Sequence, residues 1–171
     1  MKRAAIIITA CLLTLGLHAQ KFTNETKLNG LIIFYTGRID LSYERKLDAH
    51  FSTGVTAGAG ISPIDYIKYK FLLKPFARYY TGDKKNFSGF FLQGSLILSQ
   101  EENLPYPPGS NMSHKEGVST MFGPGFGLGY KVLISNKIPL EVYADLGPDL
   151  INRDVLIPIV YDAGICIGIR F

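Results

Sequence analysis

The chain ends on Tyr161-Asp-Ala-Gly-Ile-Cys-Ile-Gly-Ile-Arg-Phe171, and this stretch decides the fold. Tyr161, Ala163, Ile165, Ile167, Ile169 and Phe171 alternate without a fault with Asp162, Gly164, Cys166, Gly168 and Arg170. Successive side chains of a strand point to opposite faces, so one face is wholly apolar and the other polar or small. A soluble sheet turns the apolar face inward, whereas a membrane barrel turns it outward to lipid. The terminal Phe171 favours the barrel, whose strands carry aromatic residues at both membrane interfaces. Tyr161, Ile165, Ile167, Ile169 and Phe171 then form the barrel-closing C-terminal signal.

Composition agrees with that reading. The 171 residues suffice for one domain, charged residues make up only 19%, and aromatics reach 12% without any Trp. About 25% charged is usual in soluble domains. Beyond the N-terminus no apolar run approaches the roughly 20 residues of a membrane helix. In a barrel, lipid-facing residues are diluted one in two by lumen residues. Lys2 and Arg3, the apolar stretch Ala4 to Leu17, and Leu17-His18-Ala19 read as a signal peptide over 1–19, leaving the barrel as 20–171. Its removal leaves 16 basic against 14 acidic residues, so nucleic acid is not an expected partner. Cys166 is then alone and makes no internal disulfide.

Alternation resolves the rest into about eight strands, the smallest number that closes a membrane barrel. They are expected at Lys27–Tyr35, Arg38–Arg45, His50–Gly60, Ile67–Thr81, Asn86–Leu98, Val118–Val132, Ile138–Gly147 and Ile159–Phe171. The first two are joined by a tight turn at Thr36-Gly37. Pro75, mid-strand, removes one ladder hydrogen bond. Counted back from Phe171, the connections at 46–49, 82–85 and 133–137 are short and fall on the periplasmic side. The long stretches Ser99–Gly117 and Pro148–Pro158 fall outside, as barrels of this kind require. The fold expected is a closed antiparallel up-and-down transmembrane β-barrel in the outer membrane of a diderm bacterium.

The inward face collects Arg38, Lys70, Lys74, Arg78, Lys131 and Arg170 against Asp40, Glu44, Glu141, Asp145 and Asp162. An eight-strand interior is just wide enough to be filled by side chains. Charges inside it must pair or bear a large desolvation cost. A plugged lumen held by layered ion pairs is the expectation.

No chemistry-bearing motif survives inspection. Gly123-Pro-Gly-Phe-Gly-Leu-Gly129 repeats glycine every second residue within a strand, whereas a phosphate loop opens a helix. Ser113 and His114 are adjacent, point apart on an extended chain, and have no orienting acid. His50 has no second ligand in register. No enzyme, cofactor or metal site is expected.

The segments IDLSYERKLDAHFSTGVTAGAG (39–60), KPFARYYTGDKKNFSGFFLQGSL (74–96) and AGICIGIRF (163–171) resemble the small outer-membrane barrel families, OmpX-like and OmpA-transmembrane-like. The likeness lies in hairpin alternation, Tyr-Glu before a tight turn, and the terminal Phe. It implies a monomeric barrel in contact with outer-membrane lipid and with the barrel-assembly machinery through its last strand. Family members include adhesion and surface-defence proteins and channels for hydrophobic molecules, and no site residue carries over. Two other readings remain: a narrow channel for small apolar molecules or ions, and an exported soluble calyx with its faces inverted.

Overall fold

The computed structural model describes residues 24–61, 67–81, 87–103, 117–152 and 159–171. The signal peptide, the Pro105–Ser110 stretch, Ser113 and His114 lie outside them. The strands are β1 (Asn24–Asn29), β2 (Arg38–Lys46), β3 (Phe51–Gly60), β4 (Ile67–Tyr80), β5 (Gly89–Asn103), β6 (Gly117–Ile134), β7 (Ile138–Pro148) and β8 (Ile159–Arg170). A short helix, α1 (Gly30–Thr36), separates β1 from β2. Each strand pairs with the next, and β1 pairs with β8, so the barrel is closed. At the closure Asn24 N donates to Phe171 O at 2.8 Å and Phe171 N to Asn24 O at 2.9 Å. Both residues lie at one end, here the terminal end; α1 lies towards the far end.

The alternation of β8 is realised with the apolar face outward. Tyr161, Ile165, Ile167, Ile169 and Phe171 are exposed, while Asp162, Gly164 and Cys166 are buried. The other strands follow: between Arg45 at the terminal end and Lys70 at the far end, no outward residue of the described strands is charged. The inverted, calyx-type arrangement does not occur.

Four local features, three of them departures from expectation and one an expected interruption at Pro75, have identifiable causes. The first strand is six residues rather than nine, because barrel closure sets its register. Asn29 pairs with Asp40; the same register carried upward puts Ile33 opposite Thr36 and leaves a two-residue turn on Phe34-Tyr35. Such turns need positive φ and favour Gly and Asn. A turn on Thr36-Gly37 would require β1 to slip four residues along β2. The chain coils instead into α1, capped by Asn29 Oδ1 accepting from Ile32 N at 3.4 Å and by Gly37 (φ 63°), whose N–H donates to Ile33 O. Glycine supplies that left-handed conformation without strain.

Second, the β4–β5 register shifts between Tyr69 and Phe71, a bulge that turns Lys70 out of the lumen series. Third, Pro75 stays in β4, but the β4–β5 ladder is interrupted between Leu73↔Leu98 and Phe76↔Ser95. An outward groove of about 490 Å³ runs there beside Ala77, Gly94 and Phe126. Fourth, β5 begins at Gly89 rather than Asn86, and Phe87, at φ 51°, buries its ring in the terminal end of the lumen. At the far end β5 and β6 stay paired out to Asn103↔Gly117, well into the stretch expected to be irregular.

Candidate functional site

Among the described residues, charge, burial and convergence of many strands coincide in the lumen. Its terminal-end half is built around Glu44 on β2. Glu44 accepts from Lys27 Nζ at 2.5 Å, Arg78 Nη1 at 2.9 Å, Lys131 Nζ at 3.4 Å, Ser52 Oγ at 2.6 Å and Tyr80 Oη at 2.8 Å. Lys27 and Arg78 also meet Glu141 Oε2, at 2.6 and 2.8 Å. Glu25 takes Lys131 at 2.8 Å and Arg170 at 2.5 Å. Every second residue of β1, β2, β4, β6, β7 and β8 points inward, so one lattice of pairs stitches the wall across its diameter.

The far half is built around Asp162 on β8, which takes Lys74 at 2.5 Å, Arg38 at 3.0 Å and the Tyr143 hydroxyl at 2.8 Å. Arg38 also reaches both Asp40 oxygens, at 2.6 and 2.8 Å. Gln93 couples the halves: Arg78 Nε donates to its Oε1 at 2.6 Å, and its Nε2 donates to Asp145 at 2.7 Å. Aromatic rings fill the remaining space. The Arg78 guanidinium lies 4.3 Å from the Phe91 ring and 4.4 Å from Phe76; Lys131 lies 4.2 Å from Phe87. Cation–π contacts of this kind gain strength when water is excluded. The glycine stripe of β6 serves this packing at Gly129, where a Cβ would collide with the Phe91 ring.

Of the residues expected in the lumen, Arg38, Asp40, Glu44, Lys74, Arg78, Lys131, Glu141, Asp145 and Asp162 are buried together, with Arg170 partly buried at the terminal end. Lys70 is a correction: the bulge beside it leaves it 37% exposed at the far rim, 2.8 Å from Glu102. Glu25 and Lys27 are buried lumen charges absent from the expected set. Their signal was present, since Glu25, Lys27 and Asn29 alternate with Thr26 and Leu28; but Glu25 lies ahead of the expected start, and Lys27 shares its face of the expected strand with Leu31 and Ile33, which marks no lumen side. With them the lumen balances: Lys27, Arg38, Lys74, Arg78, Lys131 and Arg170 against Glu25, Asp40, Glu44, Glu141, Asp145 and Asp162.

Such a cluster can hold a wall together. His50 Nδ1 sits 2.9 Å from Tyr80 O, and its ring stacks on Tyr79. Among the described residues no group of His, Cys, Asp and Glu has the spacing to hold a metal ion.

No family model matches the chain, and no curated protein sequence matches it. Among solved structures it is similar to the N-terminal β-barrel domain of Pseudomonas aeruginosa OprF, with a TM-score of 0.56 at 16% identity. The likeness covers 88% of this chain and 96% of that one. At that identity it speaks to the fold, a small closed barrel.

Proposed function

We propose that the chain is a small integral outer-membrane barrel of structural or surface-presenting type, and not an enzyme. The observation that carries this reading is the uncharged outward band, closed around the whole barrel. A soluble monomer rarely exposes a contiguous apolar patch larger than a few hundred Å². Lipid is the solvent such a surface suits, and a closed barrel leaves no backbone edge exposed to it. On this reading the terminal end faces the periplasm, with connections at 47–50 and 135–137 of the short kind found there. The far end then presents the β5–β6 hairpin and the β7–β8 loop to the outside. Loops 99–117 and 148–158 are the contact regions for a partner. The partners with stated chemistry are lipid acyl chains and, through the strand ending at Phe171, the barrel-assembly machinery. The protein acts as a monomer.

Refolding the mature chain with and without detergent micelles, then comparing gel mobility of unboiled and boiled samples, tests this. A mobility shift that requires amphiphile supports a membrane barrel. A chain that folds and stays monodisperse in plain buffer refutes it. Planar-bilayer recording then separates a plug from a channel: the paired, ring-packed lumen calls for no steady conductance.

A further inference from the structure

The wall changes character at the seam between β8 and β2. From its bonded end at Asn24 and Phe171, β1 pairs with β8 only as far as Asn29↔Cys166. Over Ile159–Ile165 no strand of the described residues pairs with β8 on that side, and α1 stands there instead. The bonding phase of the seam follows from its end. Asn24 and Phe171 exchange both hydrogen bonds, and in an antiparallel ladder such pairs recur at every second residue. Carried upward, the bonded pairs are Gly30 with Ile165 and Ile32 with Ala163. The second would join Ile32 N–H to the Ala163 carbonyl.

The Asn29 carboxamide is inserted between that donor and that acceptor. Its Oδ1 accepts from Ile32 N at 3.4 Å, and its Nδ2 donates to Ala163 O at 3.3 Å. Gly164 makes the room, since a Cβ there would overlap the amide nitrogen. The side chain thus stands in for one missing rung. The helix itself conflicts with its residues, because Ile32, Ile33 and Phe34 prefer strands to helices. An extended form also needs no slippage. Gly30 would face Ile39 and Ile33 would face Thr36, and Ile61 N already donates to Gly37 O at 2.7 Å, ahead of β2. Only the turn at Phe34-Tyr35 stands against it. A strong conflict between local preference and adopted structure marks strained or functional segments.

We propose that residues 30–36 are a two-state wall segment. In one state they form α1, latched by Asn29. In the other they extend the β1–β2 hairpin and complete the ladder with β8. In the helical state the far half of this seam is held by side chains rather than rungs. It is the weakest length of the wall, next to the Arg38–Asp162 pair, which stays buried in this state.

The test is F34N/Y35G in the otherwise native chain, which supplies the Asn-Gly turn that the extended form needs. It is read by NMR of the protein folded in micelles. The expected result is a change of the Cα secondary shifts of Gly30–Ile33 from helical to extended sign. New Hα–Hα contacts should link Gly30 with Ile39 and Leu31 with Gly164, and exchange of the Ala163 amide should slow. A folded variant that keeps helical shifts over 30–36 overturns the proposal. If the variant does not fold, saturation-transfer NMR of the native chain decides. A minor state with extended shifts at Ile32 upholds the switch, and its absence over the millisecond window overturns it.

Discussion

Neutralising Glu44 is the sharpest test of the lumen, because charge counts and distances together set the size of the effect. The terminal-end half holds Lys27, Arg78, Lys131 and Arg170 against Glu25, Glu44 and Glu141, one positive charge in excess. The far half holds Arg38 and Lys74 against Asp40, Asp145 and Asp162, one negative in excess. Glu44→Gln raises the first excess from one to two. It also strips a carboxylate from three cations that lie within 2.5 to 3.4 Å of it. Removing one member of a buried pair costs about 3–5 kcal/mol, since the partner stays buried and uncompensated. For a domain of this size 1 kcal/mol is worth about 2–4 °C. The temperature at which the compact, unboiled gel band is lost should therefore fall by about 6–20 °C. Adding Lys131→Met restores the original excess and leaves an apolar chain against the Tyr80 and Phe87 rings, which lie 4.6 and 4.2 Å from the native ammonium. The double variant should recover more than half of the loss. An E44Q barrel that melts within about 2 °C of the native one would refute the ion-paired lumen. So would a double variant that melts lower than E44Q alone.

Phe126, 73% exposed on the outward face, separates lipid from water as the outer solvent. Phe126→Arg should cost about 2–4 kcal/mol in liposome refolding if it sits near the bilayer midplane, against under about 0.5 kcal/mol for a surface change in a soluble barrel. Phe87→Ala empties the space between Tyr80 and Lys131, and a loss of about 3–5 kcal/mol in urea unfolding is expected for a buried ring. A near-neutral result would show that the turn ring is not part of the packing. In the β2–β3 turn, Asp48 accepts from the backbone N–H groups of His50 and Phe51 at 2.7 and 2.8 Å, which hold its carboxyl below the ordinary range. Because the folded value is depressed, its contribution is complete above the unfolded value near pH 4 and lost as pH falls through the folded value. Exchange of the Phe51 amide should accelerate below about pH 4 beyond its intrinsic pH dependence. Asp48→Asn should abolish that extra acceleration, and persistence in the variant would assign it elsewhere.

What could be read from the chain was whatever depends on period two. The faultless alternation of Tyr161–Phe171 specifies a strand with unlike faces. Repetition of that pattern down the chain specifies a barrel and sorts Glu44, Arg78, Glu141 and Asp162 to one face. Asp162 and Arg38 meet at 3.0 Å although 124 residues separate them, and parity alone placed both inside. The pattern fails where the chain leaves strict alternation. Lys70 was misplaced because a bulge adds one residue to β4 and reverses the faces beyond it. Glu25 was missed because a strand's beginning has no local marker when the preceding residues are also polar, and Lys27 because its face of the expected strand continues into the apolar Leu31 and Ile33.

Register is the quantity the sequence could not supply, and register made α1. Read alone, Gly30–Tyr35 is a run of strand formers followed by a glycine turn, a consistent local account. It is overruled because closing the barrel aligns β1 with β2 and β8 together. That double constraint puts the hairpin turn on two aromatic residues that adopt it only at a cost. Which side chains face the lumen is a property of each strand. Which of them touch, and where the chain must abandon the strand, belongs to the closed ring, since β8, the second partner of β1, comes from the opposite end of the chain.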